Sequence, residues 1–253
     1  MVLEARLCRH SDVTPTFKQR FTPASGNLQF LSCGEWDVPA GTQTQVVAAP
    51  GQETLLFQWK GSSTVKVDGG AHEYTLDTYD TLYIPLGSSF QISGEDQHAK
   101  LVQASATASN RHPVFHSKFA DFSQREDRIR RLKGKDVYLM FDVSESADKL
   151  VAGYTFFLPK QRSWPPHNHT DQEEFYFFIQ GHGAMEVYES PETLSFVHSV
   201  NEGDLVTIPF LNYHPVFSQE DPLQFIWCIA GERYWVGDKN KDFMKGTADS
   251  ITT

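Results

Sequence analysis

The chain repeats itself at long range, and that repeat limits the possible folds more than any other feature of its 253 residues. Gln52-Glu53-Thr54-Leu55-Leu56-Phe57-Gln58-Trp59-Lys60-Gly61 returns 120 residues later as Gln172-Glu173-Glu174-Phe175-Tyr176-Phe177-Phe178-Ile179-Gln180-Gly181. Tyr79-Asp80-Thr81-Leu82-Tyr83-Ile84-Pro85 returns 124 residues later as Gly203-Asp204-Leu205-Val206-Thr207-Ile208-Pro209. A period that long describes two copies of one domain, not a solenoid of short units. The repeated stretches are rich in β-branched and aromatic residues, and similar short runs occur at Thr64 to Val67, Ala99 to Gln103, Val137 to Phe141, Tyr154 to Leu158, Ala184 to Tyr188 and Phe225 to Ile229. Turn residues separate them, as in Gly61-Ser62-Ser63 and Asp68-Gly69-Gly70. Short strands punctuated in this way predict an all-β protein made of sandwiches or barrels. Helix is predicted only near Asp121 to Leu132 and at the carboxyl end. The seam between the copies falls near Arg111 to Lys135. It gives a first barrel over residues 1–110, a connecting segment over 111–135 and a second barrel over 136–253.

Composition narrows the function classes. Acidic residues outnumber basic ones 32 to 22, for a formal charge of −10. That balance argues against a general nucleic-acid binder, whose affinity comes from neutralising phosphates. Cys8, Cys33 and Cys228 are odd in number and far apart. They suit neither a disulfide framework nor a zinc knuckle, and a reducing cytoplasm is the expected setting. Met1-Val2-Leu3-Glu4-Ala5-Arg6 is broken by charge and does not read as a signal peptide. No apolar run approaches the roughly 20 residues that span a bilayer, so a soluble protein without a membrane partner is expected.

Chemistry concentrates in the second copy. His167 and His169 stand one residue apart in Pro165-Pro166-His167-Asn168-His169, a spacing that turns both imidazoles to one side of an extended chain. Glu174 follows five residues later, and His214 comes after the predicted strand Asp204 to Pro209. Three imidazoles and one carboxylate form a mixed nitrogen and oxygen donor set for one divalent transition metal. Zinc or manganese heads the candidates, with iron and nickel also compatible. The repeat supplies an internal control, because Val47, Ala49, Thr54 and Phe90 occupy the corresponding places in the first copy. The scaffold is kept there while every donor is missing, so the first barrel is expected to bind no metal. Glu173 should face away from Glu174. His112, His116 and His182 read as structural or solvent-facing, and the basic cluster Arg125, Arg128, Arg130, Arg131, Lys133 and Lys135 reads as a solvated helix face.

The spacing from His167 to Gly181, followed by Gly203, Pro209 and His214, resembles the two sequence motifs of the cupin superfamily. The chain therefore resembles a bicupin, with two tandem jelly-roll barrels. One departure is Leu211, where the second motif has glycine and where Gly87 stands in the first copy. Ser163-Trp164-Pro165-Pro166-His167-Asn168-His169, Val200 to Val206 and Tyr213-His214-Pro215-Val216 resemble 5-deoxyglucuronate isomerases. Phe225 to Glu232 and the short spacing from His169 to Glu174 are similar to 5-keto-4-deoxyuronate isomerases. The two enzymes form one family.

That resemblance implies an intramolecular oxidoreductase, interconverting aldose and ketose forms of a small sugar acid through an enediolate. A metal with two open positions would chelate the adjacent oxygens. Tyr176 shares a strand face with Glu174 and is a candidate acid, base or hydrogen-bond partner. Lys160 and Arg162 precede the histidine segment and are candidates for holding the substrate carboxylate. A non-haem iron dioxygenase and a sugar-sensing binding module use the same donors and stand as alternatives. A homo-oligomer is expected, because sheet edges left open by two barrels favour association.

Overall fold

The computed structural model describes residues 5–8, 16–232 and 239–240 and contains two β-barrels made of equivalent strands. The helix expected at the carboxyl end lies outside the described residues. The larger sheet of the first barrel runs Phe115–Ser117, Thr81–Ile84, Gln52–Lys60, Ala99–Thr107, Ser32–Val38 and Thr16–Phe21, in that spatial order. It faces a four-stranded sheet of Val47–Ala48, Ser89–Gly94, Ser63–Val67 and His72–Leu76. In the second barrel the larger sheet runs Leu7–Cys8, Leu205–Ile208, Gln172–Gln180, Leu223–Gly231, Val151–Phe157, Lys135–Phe141 and Ile129–Leu132. Opposite it lie Thr193–Asn201, His182–Ser190 and Val216–Ser218. Each barrel accepts an edge strand from outside its own repeat. Leu7–Cys8 lies beside Leu205–Ile208, and Phe115–Ser117 lies beside Thr81–Ile84. No helix among the described residues is long and apolar enough to cross a membrane.

The repeated strands are apolar on both faces because both faces are buried, which explains why they read as continuous runs. Leu56, with Val65, Phe90 and Ile92, fills the first barrel. Tyr176, Phe178, Phe225 and Trp227 point into the second. The alternate residues Leu55, Phe57, Trp59, Phe175, Phe177 and Ile179 form one cluster between the barrels. There Trp59 meets Phe177 edge to face at 5.0 Å, and Tyr83 stacks on Phe141 at 4.8 Å. Each such side chain stabilises the joint by about 1.5–3 kcal/mol relative to exposure.

Two buried carboxylates lock the joint reciprocally. Glu173 accepts the backbone N–H groups of Gln29 (2.6 Å), Phe30 (2.8 Å) and Leu31 (2.7 Å). Its counterpart Glu53 accepts those of Asp148 (2.9 Å), Lys149 (2.7 Å) and Leu150 (3.0 Å), and also the Tyr83 hydroxyl. Burial pushes the Glu173 carboxyl up, and the three N–H donors pull it partly back. As expected, it faces away from Glu174.

The connecting segment departs from the sequence expectation. Only Phe119–Phe122 is α-helical and Glu126–Arg128 is a 3-10 turn, after which Ile129–Leu132 and Lys135–Phe141 form a hairpin. The reason is local: Lys133 and Gly134 make the two-residue turn, with Gly134 at φ +76°, a conformation glycine adopts without strain. The basic cluster is therefore not one helix face. Arg128 is buried and forms a two-pronged pair with Glu145, Arg125 pairs with Asp127, and Arg131 pairs with Glu126 and Asp136.

Candidate metal centre

The segment carrying His167 and His169 runs antiparallel to residues 211–217. The N–H of His214 reaches the carbonyl of His167 (3.3 Å), Leu211 N–H reaches that of His169 (2.8 Å), and Ser163 N–H reaches that of Val216 (2.9 Å). This pairing draws the imidazoles together. Ring centroids lie 5.1 Å apart for His167 and His169, 4.6 Å for His167 and His214, and 5.7 Å for His169 and His214. One ligand atom from each of the three lies within 4.8 Å of the others. Leu211 holds φ +66° in the turn, where Gly87 takes +76° in the first barrel. That conformation costs a leucine about 1–2 kcal/mol. The bond from Leu211 N–H to His169, and another from Asn168 Nδ2 to the Leu211 carbonyl (2.8 Å), hold it.

Glu174 comes from the strand Gln172–Gln180, opposite Ile208 and Ile229, and places Oε2 3.2 Å from His214 Nε2 and 3.5 Å from His169 Nε2. Burial opposes its ionisation, but the two imidazoles outweigh burial and hold the carboxyl down at about 2. His214 donates through Nδ1 to the Asn212 carbonyl (2.9 Å). A carbonyl only accepts, so Nδ1 carries a proton, and Nε2 is the nitrogen turned toward Glu174, the orientation a metal-ligating histidine requires. Glu174 Oε2 and His214 Nε2 are buried and make no hydrogen bond. Buried polar atoms left without partners are costly, and a shared divalent ion would satisfy both at once. The residues present therefore fit a metal. In the first barrel the corresponding Val47 pairs with Phe90, and Thr54 bonds Ser105 (2.9 Å). Those side chains supply no imidazole or carboxylate.

His167, His169 and Glu174 line a cavity of about 370 Å³ whose walls also include Tyr176, Trp227, Asp142, Arg130, Lys135 and Arg162, while His214 is buried beside them. Tyr176 is 7% exposed, and its ring lies 5.8 Å from that of His214. Burial, reinforced by Glu174, pushes its hydroxyl well above the ordinary phenol value. Trp227 crosses the strand at Gly153, where a Cβ would come within 2.8 Å of the indole, and its buried N–H makes no hydrogen bond. Arg162 reaches the cavity with its guanidinium 4.9 Å over the Trp164 ring. Lys160 turns outward instead, where it pairs with Glu220 at 2.9 Å, and is absent from the cavity lining. His112 and His116 pair with Asp148 (2.9 Å) and Asp80 (3.0 Å), and neither belongs to the cluster.

Asp142, Trp227, Arg130, Lys133 and Lys135 were not anticipated as site residues. Asp142 enters because the pairing of Lys135–Phe141 with Val151–Phe157 shifts between Tyr138 and Phe141. Such a bulge re-aims the following side chain, and it leaves no mark in the sequence. The hairpin residues carried a legible signal in the Lys133-Gly134 turn between alternating residues.

Two tandem barrels of this topology, one with a three-histidine and one-carboxylate cluster in its interior, define a two-barrel cupin. The family model of the KduI/IolB family matches residues 6–245, and the chain belongs to that family, an isomerase family. An IolB-like protein from Salmonella typhimurium LT2 is similar in structure, with TM-score 0.78 and 18% identity over 94% of this chain and 97% of that one. Oxalate decarboxylase from Lactobacillus farciminis, in a formate complex, has TM-score 0.74 and 13% identity over 93% and 88%. An oxalate decarboxylase from Bacillus subtilis that contains Mn(II) centres has TM-score 0.72 and 13% identity over 100% and 83%. At such identities the likeness establishes the fold alone. No curated protein matches the sequence.

Proposed function

We propose that the chain is a metal-dependent isomerase that interconverts the aldose and ketose forms of a deoxyuronate, either 5-deoxyglucuronate or 5-keto-4-deoxyuronate. Membership of an isomerase family supports the reaction class. The observation that carries the reading is the convergence of His167, His169, His214 and Glu174, the first two and Glu174 lining a cavity of about 370 Å³. His167, His169, His214 and Glu174 would hold a divalent ion, manganese or zinc, which would supply Lewis acidity toward the sugar carbonyl.

The remaining work falls to the side chains around it. Tyr176, neutral at any physiological pH, donates a hydrogen bond to an oxygen that gains charge in the enediolate. The unpaired Trp227 N–H offers a second donor to a substrate hydroxyl. Proton transfer needs a group that is ionised, basic and not committed to the ion. Arg130, Lys133, Lys135 and Arg162 are cations, and Glu174 is assigned to the metal. We therefore assign to Asp142, the other carboxylate in the lining, the transfer of the proton from one carbon to its neighbour.

The test is turnover under nitrogen, followed by proton NMR, with 5-deoxyglucuronate and 5-keto-4-deoxyuronate supplied separately. Conversion of one of them supports the isomerase and selects its substrate. Turnover that begins only when oxygen is admitted supports a dioxygenase instead, and binding without conversion supports a sugar-sensing module.

A further inference from the structure

The cavity opposite the histidines is walled by the hairpin of the connecting segment, and that wall is cationic. Strand alternation sorts its side chains. Arg130 pairs across the hairpin with Val137, and Val137 with Thr155, which in turn stands opposite Phe225. Val137, Thr155 and Phe225 all line the cavity, so Arg130 belongs to the inward face. Lys135, opposite Phe157, is on the same face and donates from Nζ to Ser163 Oγ (3.1 Å) on the segment that carries Arg162. Lys133 occupies the turn at the mouth. Arg131, one residue along, is on the other face and is held by Glu126 and Asp136.

This distribution is unusual in a chain of formal charge −10. Arg125, Arg128 and Arg131 each have a carboxylate partner. Arg130 and Lys133 have no ion pair among the described residues. The carboxylates lining the same cavity are Asp142 and Glu174, and Glu174 is turned toward His169 and His214. Cations gathered in a partly apolar cavity repel one another and lose hydration, which an entering anion relieves. A guanidinium also offers two parallel N–H groups to a carboxylate, and a lysine beside it adds a third donor.

We propose that Arg130 and Lys135, with Arg162 across the mouth, receive the carboxylate of the sugar acid and so direct its carbonyl end toward the histidines. The proposal rests on the isomerase reading for the identity of the ligand. It makes the connecting hairpin the element that distinguishes uronates from neutral sugars. A neutral sugar would leave Arg130 without a charged partner among the described residues, and discrimination by a site built for a charged group is strong for that reason.

Calorimetric titration with D-glucuronate and its neutral amide, glucuronamide, tests this on protein with and without added Mn²⁺. Glucuronate should bind at least ~10-fold more tightly than the amide, consistent with loss of a charge-assisted contact. Its affinity should fall with added salt. Arg130→Gln and Lys135→Gln should each weaken glucuronate ~10-fold and leave the amide unchanged. Arg130→Lys should recover part of the loss, and Arg131→Gln should change nothing. Equal affinity for acid and amide in both forms of the protein, or full affinity in Arg130→Gln, overturns the proposal. An acid preference lost in Arg130→Gln, in a protein that converts neither deoxyuronate, upholds the carboxylate site while removing the isomerase. Conversion that Arg130→Gln leaves intact does the reverse.

Discussion

Replacing Glu173 by glutamine should loosen the joint between the barrels without touching the cavity. Glu173 is fully buried and accepts three backbone N–H groups from Gln29, Phe30 and Leu31 of the other barrel, at 2.6–2.8 Å. An amide has the same shape but only one acceptor oxygen. At least one of the three N–H groups would then meet an NH₂ group, and the other bonds would lose their charge assistance. Hydrogen bonds to charged groups contribute about 1.5–3 kcal/mol each, and a buried donor left unpaired costs about 1–3 kcal/mol. Because these effects are not additive, the expected loss for Glu173→Gln is about 2–4 kcal/mol, or about 4–16 °C in Tm for a chain of this size. Glu53→Gln should cost a similar amount, since Glu53 holds Asp148, Lys149 and Leu150 in the mirrored arrangement. Urea denaturation followed by tryptophan fluorescence measures both, with Trp59 reporting from the joint itself. Glu53 is far in sequence from the metal-binding motif, so its variant separates joint stability from metal content. Losses below ~0.5 kcal/mol in both variants would refute the reasoning, because surface substitutions of no consequence fall in that range.

Asp142→Asn should lower kcat by about 100-fold or more, the usual contribution of a positioned base, with KM and bound metal close to those of the parent. Steady-state kinetics with elemental analysis checks this, and an unchanged kcat would move the proton transfer to another group. Acid stability offers a separate check through Asp148. Burial raises its carboxyl, but His112 and the N–H groups of Ser109 and Asn110 outweigh that and lower it from 3.8 to about 2. A depressed carboxylate stabilises the fold above its unfolded value and loses that contribution as pH falls through its folded value. Asp148→Asn should therefore be less stable than the parent above pH 3.8, with the gap closing as pH falls toward about 2. Denaturation midpoints across that interval measure it, and a gap that widens on acidification would contradict the assignment.

The clustering of the four candidate donors was legible because the strand period fixes which residues share a face. His167 and His169, Glu174 and Tyr176, and the opposed direction of Glu173 all follow from a spacing of two or one. The repeat was legible as well, since Phe57 and Phe177 or Ile84 and Ile208 occupy equivalent strands. Four features were not. The helix expected over Asp121 to Leu132 gave way to a hairpin because Gly134 turns the chain, and charge density alone had suggested a helix face. Lys160 and Arg162 stand two apart, a spacing that would share a face in an extended chain, but Lys160 takes φ +58° and turns outward to Glu220. The inward turn of Asp142 depends on a bulge near Tyr138, and the mutual clamps of Glu53 and Glu173 depend on how two barrels dock. Both are consequences of tertiary structure that no local pattern encodes.

The central claim is that His167, His169, Glu174 and His214 together hold one divalent ion. Elemental analysis of protein purified without chelator tests it directly in the parent, in His169→Ala, in His214→Ala and in Phe90→Ala, which changes the matching place in the first barrel. The account predicts about one manganese or zinc per chain in the parent and in Phe90→Ala. It predicts almost none in the two histidine variants, with the β-rich circular dichroism spectrum kept. A full metal complement in His169→Ala and His214→Ala, or its loss in Phe90→Ala with the fold intact, would contradict it.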